Sequence, residues 1–425
     1  MHSDVSIARI KQFPPMMWIL LFGAFITRGS YYMVWPFLTV ILYNQFGISA
    51  TAVGTLLTTA ALISVIVGFV GGTLSDRFGR KMVMYFSGII YIVSFCLLAN
   101  TSSIIGYAIV ITGCSVATEI WRPTSSALIG DMIKEPQTRE LAMQSLYFIV
   151  NAGCAIGPML GLWLGLSGEP DSFYITAIAF AILLALLAIG FNTLKVANIN
   201  HVESKSRKEK GDLVSQEKTK SNSLLQTLKI LSNDRLLQCL ILANILCMFV
   251  YGQMDSTLIQ YLTRSAVPQL MELISSMIFT NALVIITSQF LLLKIMARIH
   301  LIKRIQIGLI LLTLSQLWMA MNPVNLFWGW IGAVIIMSLA ETILFPTMNV
   351  HIDRLAPDHL RGAYFGATSF YSLGFALAPL GGGLILDLLN GFWVYAICTV
   401  LCLLVIFLYS ILEKLKRPEE ALQTA

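Results

Sequence analysis

Apolar runs of about twenty residues recur along this chain, from Met16 to the stretch just before Lys414, with short charged segments between them. Wound as a helix at about 1.5 Å per residue, a run of that length crosses the roughly 30 Å hydrocarbon core of a bilayer. In lipid the backbone must satisfy its own hydrogen bonds, which consecutive long apolar runs can do only as helices. Twelve spans are predicted: 15–43, 50–73, 82–100, 103–130, 140–166, 172–194, 236–263, 272–297, 304–322, 325–352, 362–387 and 390–412. Composition agrees, with 57% of residues hydrophobic and 12% charged, against about a quarter charged in a soluble domain. The expected class is an all-α membrane protein with 12 transmembrane helices.

The placement of Lys and Arg tests that count independently, because cytoplasmic loops carry the excess of positive charge. With the N-terminus inside, the inside segments hold Arg9 and Lys11; Arg77, Arg80 and Lys81; Lys134 and Arg139; nine residues between 195 and 235; Lys294, Arg298, Lys303 and Arg304; Arg354 and Arg361; and Lys414, Lys416 and Arg417. The outside loops hold only Arg264. One helix more or fewer would scramble this alternation, so both termini are expected in the cytoplasm. The first run is longer than the apolar region of a secretory signal and has no small-x-small cleavage pattern, so it is expected to stay as the first span.

Between Lys195 and Arg235 the chain turns polar, rich in Lys, Glu, Ser and Asn. Such a stretch cannot bury a core, and it divides the chain into an N-terminal six-helix bundle (1–194), a cytoplasmic linker (195–235) with an interfacial helix expected near Ser223–Ile230, and a C-terminal six-helix bundle (236–425). The two bundles repeat. Glu119, Asp131 and Arg139 recur as Glu341, Asp353 and Arg361 at an offset of 222, and Gly153, Pro158 and Gly161 recur as Gly374, Pro379 and Gly382 at an offset of 221. Paired repeats around a central path are the architecture of alternating access.

Chemistry other than transport finds little support. The seven cysteines all lie in apolar runs, no CxxC pair occurs, and no His stands at metal-ligand spacing, so neither a disulfide framework nor a metal site is expected. There is no G-x-x-x-x-G-K-[ST] loop for ATP, and no nucleophile–base constellation that would mark a membrane enzyme. No cofactor and no nucleic-acid partner are expected. The expected partners are the bilayer, a small-molecule substrate and a proton as coupling ion, with the chain acting as a monomer.

Two motifs carry a resemblance. Gly72-Thr73-Leu74-Ser75-Asp76-Arg77-Phe78-Gly79-Arg80-Lys81 joins the second and third runs. It is similar to the Gly-x-x-x-Asp-Arg-x-Gly-Arg-Lys loop of the major facilitator superfamily. Gly153-Cys154-Ala155-Ile156-Gly157-Pro158-Met159-Leu160-Gly161 in the fifth run resembles the Gly-x-x-x-Gly-Pro-x-x-Gly element of exporting members, the 12-helix drug:proton antiporters. The resemblance implies two pseudo-symmetric bundles, a gating role for Gly72, Asp76, Arg77, Gly79, Arg80 and Lys81, and a contact of Asp76 with the N-terminal end of the eleventh helix, near Gly362. For Gly153, Gly157, Pro158 and Gly161 it implies close helix approach and a bend. The fourth run departs from that antiporter group: Ile109–Gly113 reads Ile-Val-Ile-Thr-Gly where the group has an Arg before a Gln-Gly pair, and the charges here are Glu119 and Arg122.

Five charges are predicted at membrane depth: Arg28, Glu119, Arg122, Asp255 and Glu341. Each is costly unless it meets a partner or a wet cavity. Glu119 and Arg122 are three apart on one helical face and can meet. Helical rise puts Arg28, Glu119 and Glu341 near the midplane, where substrate and coupling-ion sites lie. Glu119 is placed first as coupling acid, modulated by Arg28 and Arg122, with its repeat counterpart Glu341 second. Asp255, with Tyr251 nearby, is placed as a proton or substrate group, and Trp121 and Tyr147 as cavity aromatics. The expected function is proton-coupled secondary transport, exporting amphipathic organic compounds from the bacterial cell across the inner membrane. The alternative is a transporter of one metabolite, siderophore or lipid.

Overall fold

The computed structural model describes residues 10–133, 135–166, 169, 172–205, 235–296, 298–355 and 369–412. They are helical throughout, with no strand among the described residues. The elements are α1 (Pro15–Phe46), α2 (Ala50–Phe78), α3 (Arg80–Asn100), α4 (Ile104–Met132), α5 (Pro136–Trp163), α6 (Ser172–Lys205), α7 (Arg235–Arg264), α8 (Leu270–Met296), α9 (Leu301–Met321), α10 (Phe327–Leu355), α11 (Ser372–Leu388) and α12 (Gly391–Leu412). Eleven are long and apolar enough to cross a bilayer, and α11 is an apolar helix of 17 residues. The expected linker helix at 223–230 and the N-terminal approach to α11, Gly362 included, lie outside the described residues.

The apolar windows located the helices, but capping and backbone chemistry set their ends. Ser49 and Ser103 accept hydrogen bonds from the amides of Ala52 and Gly106 and start α2 and α4. Gly79, at φ +86°, breaks α2 from α3 in a conformation that a side chain would strain. α6 runs eleven residues past the predicted end at 194, because Lys195–Lys205 can wind on as a polar extension of the apolar span. α1 is interrupted by a 3₁₀ turn at Trp35–Phe37, where Pro36 cannot donate to the helical ladder. α7 holds a π-turn at Met254–Leu258.

Helix packing shows the repeat in three dimensions. In the first half α1 packs on α5 and α6, α2 on α4, and α3 on α4 and α6; in the second half α7 packs on α11 and α12, α8 on α10, and α9 on α10 and α12. Adding six to each helix number turns the first set into the second. The halves meet along α2–α11 and α5–α8, a pair of seams that the same operation exchanges. Each half has its own buried core, around Phe95, Tyr107 and Phe173 in the first and Trp330, Tyr395 and Tyr409 in the second. Large apolar side chains also face outward, among them Trp163 at 80% exposure, Trp328 at 75% and Ile105 at 74%, as expected where lipid is the solvent.

At the end remote from the termini, called distal here, hydrogen bonds join the halves. Asp387 on α11 accepts from the amides of Ala50 (3.1 Å) and Thr51 (2.7 Å) at the start of α2. Thr58 donates to the Ala376 carbonyl (2.7 Å) and accepts from the Leu380 amide (3.2 Å). Arg264 donates to the Ile48 carbonyl (2.9 Å) and stacks over Tyr43. Ser275 on α8 donates to the Pro158 carbonyl on α5 at 3.4 Å. These contacts join the two halves at the distal end.

Candidate functional site

Glu119, Trp121 and Arg122 share the middle of α4. The i,i+3 spacing brings Arg122 Nη2 within 3.3 Å of Glu119 Oε2. The pair is not buried away, since the arginine side chain is 68% exposed and the glutamate 25%. At this depth exposed means facing either lipid or a cavity, and Arg122 faces a cavity. That cavity, about 260 Å³, is walled by α1, α3, α4, α5 and α6 and takes in Arg28, Tyr91, Trp121, Arg122, Tyr147 and Phe180. Four of the residues singled out from sequence, Arg28, Trp121, Arg122 and Tyr147, therefore line one space. Glu119 stands beside it without forming its wall. Arg28 lies 5.7 Å from the centre of the Tyr31 ring, and among the described residues it forms no ion pair and no hydrogen bond.

The second half presents the opposite chemistry. Glu341, in the middle of α10, is 8% exposed. Asn281 on α8 donates to its Oε2 at 3.0 Å and also reaches Ser338 Oγ at 3.0 Å, and Tyr251 of α7 lies close to the carboxylate. Both neighbours are neutral. Tyr147 of the first half lies within electrostatic reach of Glu341, which sets the arginine-lined cavity next to the acid. Asp255 sits in the π-turn of α7, exposed between buried Met254 and Ser256. It lies within electrostatic reach of Tyr32 and Cys154 of the first half. The π-turn is the local reason: one extra residue in the turn re-aims a side chain without ending the helix.

The motif loop divides into parts. Gly72, Asp76 and Arg77 lie on the last turns of α2, with side chains outside the described residues, as is the α11 end that Asp76 is expected to meet. Gly79 makes the turn. Arg80 forms an ion pair with Asp131 on α4 at 3.1 Å and donates to Ser75 at 2.6 Å. Lys81 lies over the rings of Tyr85 and Phe191. Asp131 is one of the repeated acids, so that repeat marks a brace inside the first half.

Two glycines of the fifth-helix motif pack within their own half, while the Pro158 carbonyl faces α8 of the other. A methyl group on Gly157 would stand 2.1 Å from the Gly29 carbonyl oxygen of α1, and one on Gly153 would stand 2.9 Å from that of Phe25. The counterpart Gly374 meets the Ile245 carbonyl of α7 at 2.0 Å. Pro158 lies inside the helix, as expected. Sequence reasoning missed Asn281, Ser338 and Asp387. Asn281 had a signal, an amide inside an apolar span. Asp387 had none, because an acid at the end of a span reads as ordinary interfacial polarity.

Among the described residues, twelve apolar helices in two six-helix halves, with charged and aromatic groups gathered at the middle, have the architecture of a polytopic membrane transporter. The chain matches the family model described as Major Facilitator Superfamily over residues 20–372, and it belongs to that family. It is 27% identical over 380 residues to the uncharacterized MFS-type transporter YqjV of Bacillus subtilis, covering 89% of this chain and 88% of that one. It is 26% identical over 397 residues to a protein of Planococcus maritimus named a Na⁺, Li⁺, K⁺/H⁺ antiporter, covering 88% and 90%. The crystal structure of the nucleoside transporter NupG superposes with a TM-score of 0.71 at 13% identity, covering 95% of this chain and 100% of that one. At that identity the likeness speaks for the fold.

Proposed function

We propose that this chain is a proton-coupled secondary transporter that exports amphipathic organic compounds by alternating access, as a monomer in the inner membrane of a bacterium with both termini in the cytoplasm. In that orientation the distal end, where hydrogen bonds join the halves, faces outward. The observation that carries the proposal is Glu341: a nearly buried carboxylate hydrogen-bonded by Asn281 and close to Tyr251, with no cation paired to it among the described residues. Charge in such a place is expensive, and a proton removes the cost. The acid can therefore exchange a proton as the halves rock and its access to water changes.

Glu119 occupies the equivalent position but has Arg122 to hold its charge. The coupling role passes more naturally to Glu341, with Glu119 setting the charge of the arginine beside it. The Planococcus relative, named a cation/proton antiporter, lends support to proton coupling. The glycine–proline element of α5 supports export. It is filled by α1 of the same chain, which supports a monomer.

The test uses purified protein in liposomes under an imposed pH gradient, with lumenal pH followed as candidate organic compounds are added. Wild type moves protons when a transported compound is present. Glu341→Gln abolishes that movement, and Glu119→Gln retains a measurable part. A Glu341→Gln protein that still couples protons normally defeats the assignment.

A further inference from the structure

The cavity of the first half carries a charge that nothing in its wall neutralises. None of the residues lining it is acidic. Arg28 enters from α1 and engages no carboxylate among the described residues. Arg122 enters from α4 and gives Glu119 one hydrogen bond of 3.3 Å, while 68% of its side chain stays exposed. With Glu119 counted, this group of three charges is net +1. A guanidinium at membrane depth without a counter-charge is unfavourable, and its planar fork of donors is matched by a carboxylate or another oxyanion. The rest of the wall is of another kind: Trp121 and Tyr147, with the edges of the stacked Tyr91–Phe180 pair, line it with aromatic rings, and aliphatic side chains lie between them. Such a surface holds the apolar body of a ligand.

We infer that this cavity receives an amphipathic organic anion, its oxyanion headgroup between Arg28 and Arg122 and its apolar body against the aromatic wall. The inference rests on the transport site proposed above and names its substrate class. It also divides labour between the halves: the first binds the anion, and the second, at Glu341, carries the proton.

The probes are three naphthalenes of one size: 2-naphthoate, 2-naphthamide and 2-naphthylmethylammonium. Binding is measured to the full chain in phosphatidylcholine nanodiscs, which present no net anionic lipid. Naphthoate is expected to bind at least about tenfold more tightly than the amide, the size of a charge-assisted hydrogen-bond pair, and the ammonium compound weakest. Arg28→Gln and Arg122→Gln each bring the naphthoate-to-amide ratio toward one, and Arg28→Lys keeps part of it. The ratio is taken within one preparation, so a lower yield of folded variant does not move it. Equal binding of all three probes, tightest binding of the ammonium compound, or a ratio that both Gln variants leave unchanged overturns the inference. Proton movement is read separately. Coupling without naphthoate preference sinks this inference alone, whereas naphthoate preference without proton movement upholds it and sinks the coupling assignment.

Discussion

The two halves of this transporter share a packing plan and differ in the charge they bring to the centre. In both, the first helix of the half lies against the fifth at a repeated glycine, Gly153 on Phe25 and Gly374 on Ile245. In both, a glutamate stands at the same place on the fourth helix of the half. In the first half that glutamate meets an arginine three residues on, and a second arginine stands close by without an acid. In the second half it meets an asparagine and a tyrosine, and Asp255 adds another acid. The lesson is that pseudo-symmetry is kept where backbones touch and given up where the central groups do chemistry. Backbone contact tolerates little change, while side chains on a cavity wall can vary without altering the fold.

The largest expected effect tests the shared part. Gly153→Ala and Gly374→Ala each force a methyl group against a carbonyl oxygen, 2.9 and 2.0 Å away in the unrelaxed backbone. Overpacking of this kind costs about 1–3 kcal/mol. Thermal unfolding in detergent should show both variants destabilised, Gly374→Ala the more; a large drop in one and none in the other would break the equivalence of the halves.

The next prediction concerns the seams. α2–α11 carries Asp387 across the start of α2, where the carboxylate meets two amides and the positive end of a helix dipole. Asp387→Asn removes that charge, for about 1 kcal/mol or roughly fivefold in the balance between sealed and open. A cysteine placed at Ala376, buried at 2% exposure, should then react faster with a maleimide in a chain whose native cysteines have been replaced. An unchanged rate would show that Asp387 does not hold the seam.

Arg264→Ala removes one hydrogen bond and a stacking contact at the same end, and it should raise that labelling rate less, about two- to threefold. The smallest effect is expected at the other end. The Arg80–Asp131 pair has side chains 24% and 56% exposed, and such pairs contribute about 0–1 kcal/mol. Arg80→Gln should barely move the unfolding temperature. A loss of transport in a variant that melts normally would place Arg80 in gating and not in stability.

The sequence by itself determined the class, the number of helices and the repeat, because hydrophobic length and the placement of Lys and Arg are properties of the chain that a bilayer reads directly. It also determined the Glu119–Arg122 contact, since helical geometry puts residues three apart on one face. Tertiary structure decided everything that depends on which helix lies beside which. It gave Glu341 its partners Asn281 and Tyr251 from α8 and α7, and it joined Arg28 of α1 to Arg122 of α4 around one cavity. It set Asp387 on a helix start more than 330 positions away in the chain. No periodicity records such neighbours. They follow from the crossing of packed helices, and in lipid small residues and shape, not apolarity, choose the crossing.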